Sequence, residues 1–199
     1  MRMPENQLDG YIESILSLKE KYKDQISILV GLECEYFEKY IPWLKQMLED
    51  KKMYYTQLLE RGRITFQIKK LQEVYNWCKI NTEWLAADME SAGRFLGAGA
   101  IEYPWLFGCD NSYSLQGLVA TGDQKLAKET LRVIKEMSEK ANRNGRILHE
   151  MAFNAFVSHK GNTQETAHFV IAVWNVYKWT GDNKFLADMY PYMQKGLNF

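Results

Sequence analysis

Three carboxylates in the second half of the 199-residue chain are candidates for chemistry: Asp110, Glu150 and Glu165. The stretch 103–113 surrounds Asp110 with aromatic rings, among them Trp105 and Tyr113. Cleavage of a glycosidic bond by the usual route needs two carboxyl groups. Aromatic rings add flat apolar faces against which a sugar ring packs. These residue types predict sugar chemistry if the fold brings them to one site.

Two nearly identical turns mark the elements that must position these carboxylates. The tripeptide Thr-Gly-Asp occurs at 121–123 and again at 180–182, 59 positions later. Each copy joins two amphipathic segments of helical length, so the sequence predicts a repeated αα-hairpin. The longer connections of stacked hairpins lie at one end, where Asp110, Glu150 and Glu165 would converge.

Apolar periodicity predicts the other helices of this half. Residues 66–90 indicate one long helix or a broken pair, and 125–141 a helix with a single buried stripe. Residues 168–179 are apolar on nearly every face, which predicts a helix buried all round in the inner layer of a helical toroid. No stretch after residue 52 has the pattern of a strand. The Gly-rich segment 91–100 is expected to be a loop packed over the site.

The first 55 residues follow a different order of elements. A helix precedes the short β-branched strand 26–30, and the acidic segment containing Glu33 follows that strand. Pro42 suits the first turn of a further helix, 42–51. Helix, strand, acidic tip and helix are the order found in β/α barrels, whose active sites lie at the carboxyl ends of the strands.

Composition limits the classes of function. Hydrophobic residues make up 46%, as in an ordinary globular protein, and 25 basic residues balance 25 acidic ones. A net charge of zero gives no electrostatic surface for nucleic acid or an anionic membrane. The polar start predicts that a secretory signal is absent, and no apolar run is long enough to predict a bilayer-spanning helix. Three widely spaced cysteines fit neither a zinc site nor a disulfide framework, so we expect a cytoplasmic protein.

Four segments carry a resemblance to a known family: 103–110, 144–150, 161–166 and the dipeptide Tyr190-Pro191. Over about residues 62–199 the chain resembles glycogen-debranching enzymes of the amylo-α-1,6-glucosidase type, which are six-hairpin glycosidases. The resemblance implies a mainly α fold, with residues 56–199 forming αα-hairpins of an incomplete (α/α)6 toroid. It also implies an α-glucan or oligosaccharide ligand and no cofactor. The uncovered inner surface of an open toroid predicts self-association.

The resemblance also implies roles for particular residues. Asp110 matches the carboxylate of an aromatic-Gly-Arg-Asp motif that binds the terminal sugar, with Cys109 at the Arg position. The implied substrate-binding set is completed by Trp105, Tyr113 and Glu150. Glu165 is the candidate general acid, although an alternative alignment puts Gln164 in that position. The general base of the family lies in a later hairpin, so the resemblance implies a site without its base.

Residues 1–55 are similar to part of a different family, on the segments 18–26 and 30–37. These look like histidinol phosphatases of the PHP superfamily, in which the residue matching Glu33 is a metal ligand. The His-x-His and Asp-x-His motifs of that family are missing here. A divalent metal is therefore implied only for a complete domain. The chain is interpreted as a composite of parts of two enzymes, produced by a recombined or misassembled reading frame or by deliberate design.

Several residues have a structural alternative to a functional role. Asp110 suits a helix N-cap, and Glu165 suits a first-turn acid that complements the helix dipole. His149 and His168 are expected to be satisfied core histidines rather than ligands. Core positions are also expected for Trp174 and Trp179.

Three functions follow from these interpretations. The first is a glycosidase fragment that acts on or binds α-glucan and is inactive alone. The second is a fragment of a metal-dependent histidinol phosphatase. The third is a non-catalytic helical binding module.

Overall fold

A computed structural model describes residues 34–100 and 102–199, with side chains from residue 41 onward. The predicted strand 26–30 and the candidate metal ligand Glu33 lie outside the described residues. The chain divides into two compact units, residues 1–54 and 55–199. The family assignments of the two predicted domains, 1–55 and 56–199, stay predictions.

Within the described residues the chain is mainly helical, as predicted. The six helices are α1 (Cys34–Glu60), α2 (Lys69–Trp84), α3 (Gly108–Ala120), α4 (Gln124–Asn142), α5 (Gln164–Thr180) and α6 (Asn183–Leu197). The five strands are β1 (Ala86–Met89), β2 (Gly93–Leu96), β3 (Leu106–Phe107), β4 (Glu150–Met151) and β5 (Val157–His159). None of these helices has the length and apolar character that crossing a bilayer requires.

Two predicted helix boundaries are wrong. Pro42 lies inside α1 rather than in the first turn of a helix. The helix predicted to run to about Glu90 ends at Trp84, because the chain turns there into a strand. The Leu85 carbonyl accepts a hydrogen bond from the N–H of Gly97, which holds this junction against the segment that follows β2.

The prediction that no strand follows residue 52 is also wrong. Strands β1 and β2 form an antiparallel hairpin, in which Ala86 pairs with Leu96 and Met89 with Gly93. The segment 91–100, predicted as a loop, contributes β2 to this hairpin. A second sheet has the order β3-β4-β5 and is antiparallel throughout. Strands of two to four residues carry too little periodicity to be recognised from sequence.

The two αα-hairpins and their turns are confirmed. Gly122 (φ +89°) and Gly181 (φ +61°) both adopt the left-handed conformation in which a side chain is strained. Asp123 caps α4 by accepting a hydrogen bond from the N–H of Leu126, and Asp182 caps α6 in the same way through Phe185. The repeated tripeptide therefore ends one helix and begins the next. The C-cap of α4 is the left-handed Arg143 (φ +61°), and Gly145, two residues later, also has positive φ.

The core of unit 55–199 is formed chiefly by α3, α4, α5 and α6. Helix α3 packs mainly against α5, and α4 packs against α5, α6 and β2. The predicted stripe of α4 is buried, with no exposed member among Leu126, Leu131, Ile134 and Met137. Salt bridges join helices α4 and α6, including Lys135 to Asp188 at 2.6 Å and Lys195 to Glu139 at 2.6 Å.

Helix α5 is not buried all round, which corrects the prediction from its apolar sequence. Phe169, Val173 and Val176 are buried, but a second stripe faces outward. Trp174 is 48% exposed and Trp179 is 57% exposed, so neither is a core residue. No described residue covers this stripe.

Candidate functional site

The amino ends of α3 and α5 meet at the three-stranded sheet. The N–H of Gly108, the first residue of α3, donates to the carbonyl of His149 at 2.8 Å. A Cβ at Gly108 would collide with the carbonyl oxygen of Leu148, so this close approach requires glycine. The segment 147–149 is anchored further where the N–H of Ile147 donates to Thr166 on α5. The chain segment that carries His149 is thus fixed between two helices.

A buried carboxylate holds the His149 side chain. Glu165, in the first turn of α5, is fully buried, and its Oε1 lies 2.8 Å from His149 Nδ1. Asn162 donates to the same carboxylate through its side-chain amide at 3.1 Å and its backbone N–H at 2.7 Å. The His149 side chain is 31% exposed, so one partner of this pair reaches the surface.

The environment of Glu165 favours its charged form. Burial disfavours the charge, but hydrogen bonds from its own backbone N–H, from His149 and from Asn162 outweigh burial and lower the pKa of the carboxyl. A general acid at neutral pH needs a raised pKa. The general-acid role of Glu165 stays a prediction, and the hydrogen bonds around it suit a carboxylate that holds an imidazole.

An aromatic cluster lies beside His149; its members are Tyr103, Trp105, Phe107 and His159. The rings of Trp105 and Phe107 are stacked, with centroids 6.4 Å apart and planes inclined by 29°. Phe107 meets His149 edge-on at 5.7 Å, and His159 meets His149 edge-on at 5.0 Å. Tyr103 is 67% exposed and has φ +54°, which is uncommon for a residue with a bulky side chain.

Two predicted substrate-binding residues make contacts of their own, outside the His149–Glu165 pair. Glu150 pairs across the sheet with Phe107, and its carboxylate accepts a hydrogen bond from Ser158 at 2.6 Å. Tyr113 is exposed and packs against His168, with ring centroids 4.8 Å apart. His168 is therefore a half-buried partner of a tyrosine rather than a core histidine.

Asp110 occupies a different environment. It lines a groove of about 360 Å³ between α2, the end of β2 and α3, together with Tyr75, Lys79 and Ser114. The N-cap alternative for Asp110 is wrong, because the N-cap of α3 is Phe107 and Asp110 lies in the first helical turn. Asp110 is exposed at the edge of this groove.

Cys109 stands between these two environments. Burial, with the charges of Asp110 and Glu165 nearby, raises the pKa of the Cys109 thiol. A thiol with a raised pKa stays protonated at neutral pH and is a poor nucleophile. Cys109 therefore does not supply an activated thiolate to this site.

Sequence reasoning missed Phe107, His159 and Asn162, and it placed His149 in the core rather than in the site. Phe107 lay inside the aromatic stretch and could have been chosen with its neighbours. His159 and Asn162 gave no signal, because their contacts with His149 and Glu165 depend on how β5 and the start of α5 come together. Among the described side chains no group of three or more His, Cys, Asp and Glu is arranged to hold a metal ion.

The arrangement as a whole offers hydrogen-bonding groups beside flat apolar surfaces. Two imidazoles provide an acceptor and donors for a polar ligand, and the stacked rings provide a surface for its apolar face. Comparison of the chain with protein families, with curated proteins and with solved structures found no match.

Proposed function

We propose that the chain binds the end of an α-glucan or maltooligosaccharide at the aromatic cluster and does not hydrolyse it. The observation that carries this proposal is the stacked pair Trp105 and Phe107 beside the Glu165-held His149. A sugar ring has an apolar face bordered by hydroxyl groups, which suits flat rings with hydrogen-bonding side chains at their edge.

The backbone of Tyr103 adds support. Its left-handed conformation costs of the order of 1 kcal/mol or more and is maintained only where surrounding structure imposes it. The result is an exposed ring next to Phe107, with centroids 6.5 Å apart. An exposed aromatic residue held in a strained conformation is typical of binding sites.

Binding without turnover follows from the state of the carboxylate. A glycosidase of the usual kind requires one carboxyl group that is protonated before it donates to the leaving oxygen. The hydrogen bonds that lower the pKa of Glu165 oppose that role. The resemblance also implies that the base lies in a later hairpin.

The test is a calorimetric titration of the chain with maltotriose through maltoheptaose. We expect Trp105→Ala to weaken binding roughly tenfold, equivalent to about 1.4 kcal/mol. The matched control is Trp179→Ala, which removes an exposed tryptophan about 20 Å along α5 from its amino end. Equal weakening by both variants, or glucose release by the wild type, would contradict the proposal.

Three predictions lie outside this test. The phosphatase alternative depends on Glu33, which lies outside the described residues, and it stays a prediction. Cytoplasmic location and self-association also stay predictions.

A further inference from the structure

The buried carboxylate of Glu165 determines which nitrogen of His149 carries hydrogen. Both of its oxygens accept hydrogen bonds, Oε1 from His149 and Asn162 and Oε2 from the backbone N–H of Asn162. An ionised carboxylate is an acceptor only. At 2.8 Å the facing nitrogen, Nδ1 of His149, must therefore be the donor.

The backbone of His149 is also held by hydrogen bonds on both of its polar groups. Its carbonyl accepts from Gly108 at 2.8 Å and its N–H donates to the carbonyl of His159 at 3.0 Å. A neutral imidazole with hydrogen on Nδ1 has an unshared electron pair on Nε2. Since the side chain is partly exposed, this acceptor faces the surface beside Phe107.

The neighbouring His159 has the opposite arrangement. Its Nδ1 lies 3.1 Å from the N–H of Gly161 and accepts from it, so a neutral His159 carries its hydrogen on Nε2. Gly161 has φ +112°, and a Cβ there would collide with the Ile147 carbonyl oxygen, so the turn that supplies this N–H requires glycine. The two imidazole rings, 5.0 Å apart, thus provide one acceptor and one donor.

We propose that His149 and His159 together bind one hydroxyl group of the sugar, with Glu165 as the positioning residue that fixes the His149 tautomer. The inference rests on the proposed sugar-binding function and identifies the groups that form hydrogen bonds with the ligand. A hydroxyl donates one hydrogen bond and accepts others, so it donates to Nε2 of His149 and accepts from Nε2–H of His159. The stacked rings of Trp105 and Phe107 cover the apolar face of the same sugar unit.

The first measurement is the tautomer itself. In the ¹⁵N-labelled chain above neutral pH, long-range ¹H–¹⁵N correlation spectra should show His149 protonated on Nδ1 and His159 on Nε2. Glu165→Gln should mix the His149 tautomers, because an amide can donate as well as accept. Glu136→Gln removes an exposed carboxylate of α4 and should leave the His149 signals unchanged. A wild-type His149 protonated on Nε2 would overturn the proposal.

The second measurement is titration of the same sample with maltotriose. We expect the Nε2 signal of His149 to shift saturably, and His159→Ala to weaken binding about three- to tenfold while leaving the His149 tautomer intact. Because His159 is exposed, this variant tests the proposal even if Glu165→Gln fails to fold. Saturable binding without movement of the Nε2 signal would overturn the hydroxyl assignment alone. No saturable response at any signal would overturn the proposed function and this assignment together.

Discussion

The two αα-hairpins contain the same Thr-Gly-Asp turn, but their first helices, α3 and α5, bury opposite faces. One stripe of α3 is buried throughout and consists of Gly108, Ser112, Leu115 and Val119. The residues 59 positions later form an exposed stripe of α5, namely Ala167, Ile171, Trp174 and Lys178. The same position in the repeat is thus buried in α3 and exposed in α5.

The opposite stripes show the reverse relation. After the first turn of α5 the buried residues are Phe169, Ala172, Val173 and Val176. Their counterparts in α3 are exposed and are Asp110, Tyr113, Ser114 and Gly117. Since α3 packs mainly against α5, each helix buries the face that meets the other. The difference teaches that neighbours in the stack, rather than the repeat position, decide which face is buried.

The largest expected effect comes from truncating the same repeat position in both helices. Leu115→Ala removes a fully buried side chain and should lower the free energy of unfolding by about 2–5 kcal/mol. Trp174→Ala, at the equivalent position, should change it by no more than about 0.5 kcal/mol. Urea unfolding of the two variants measures the difference. Similar losses would mean that a neighbour covers the Trp174 face in solution.

The second effect concerns the start of α5, where Glu165 corresponds to the buried Leu106 of the first hairpin. The pKa of Glu165 is lower in the folded chain than its unfolded value of about 4.3. Its stabilisation is therefore present above about pH 5 and is lost as pH falls through the lowered folded pKa. Glu165→Gln should cost about 1–3 kcal/mol at pH 7.

The check on this pH dependence is the difference between wild type and Glu165→Gln, measured by urea unfolding from pH 7 to pH 3. That difference should shrink towards acid, since protonation removes the same charge that the variant removes. A difference that stays constant with pH would show that Glu165 stabilises the fold by packing alone.

The third effect addresses the exposed stripe of α5 as a surface for self-association. Ile171 and Trp174 expose apolar surface to water, which is energetically unfavourable. Association that buries this surface is therefore favoured. We expect concentration-dependent association in sedimentation velocity, weakened about tenfold by Trp174→Ala. Trp84→Ala is the control, because it removes a comparably exposed tryptophan from α2. Identical sedimentation of wild type and Trp174→Ala would assign any association to another surface.

The smallest expected effect is a gain in the free energy of unfolding rather than a loss. Gly117 corresponds to the buried Val176, but an added Cβ at Gly117 meets no atom within 4 Å. Gly117→Ala should therefore raise the free energy of unfolding by about 0.5–1 kcal/mol, because alanine loses less conformational entropy in a helix. Val176→Ala should lower it. A loss of stability in Gly117→Ala would mean that this face of α3 is covered.

Sequence reasoning was strongest where the signal is local. The Thr-Gly-Asp turns, the buried stripe of α4 and the hairpin pair were predicted, because glycine and a capping aspartate determine a turn within a few residues. Strands β1 to β5 were not predicted, since each is stabilised by a partner strand and not by its own pattern. The outward stripe of α5 was also missed, because an apolar sequence does not say whether a neighbour is present.

Some residues of the candidate site were also identified from sequence, and others only from the tertiary structure. The aromatic stretch around Trp105 and the carboxylate of Glu165 were chosen from sequence, and both lie at the amino ends of α3 and α5. Asp110 was expected beside them but lines the groove next to α2, because its position in the repeat points away from the face shared with α5. The contact between His149 and Glu165 joins residues 16 positions apart through an irregular connection, so no periodicity could indicate it.

The sequence by itself determined the helical hairpins and the residue types available for binding a polar ligand. These depend on local propensity, capping and the 59-residue repeat, all of which act along the chain. Only the tertiary structure decided which helix faces are buried, which tautomer Glu165 imposes on His149, and that Asp110 and Glu165 lie in different environments. Those outcomes depend on groups far apart in the chain, whose distances are set by packing and hydrogen bonding between elements.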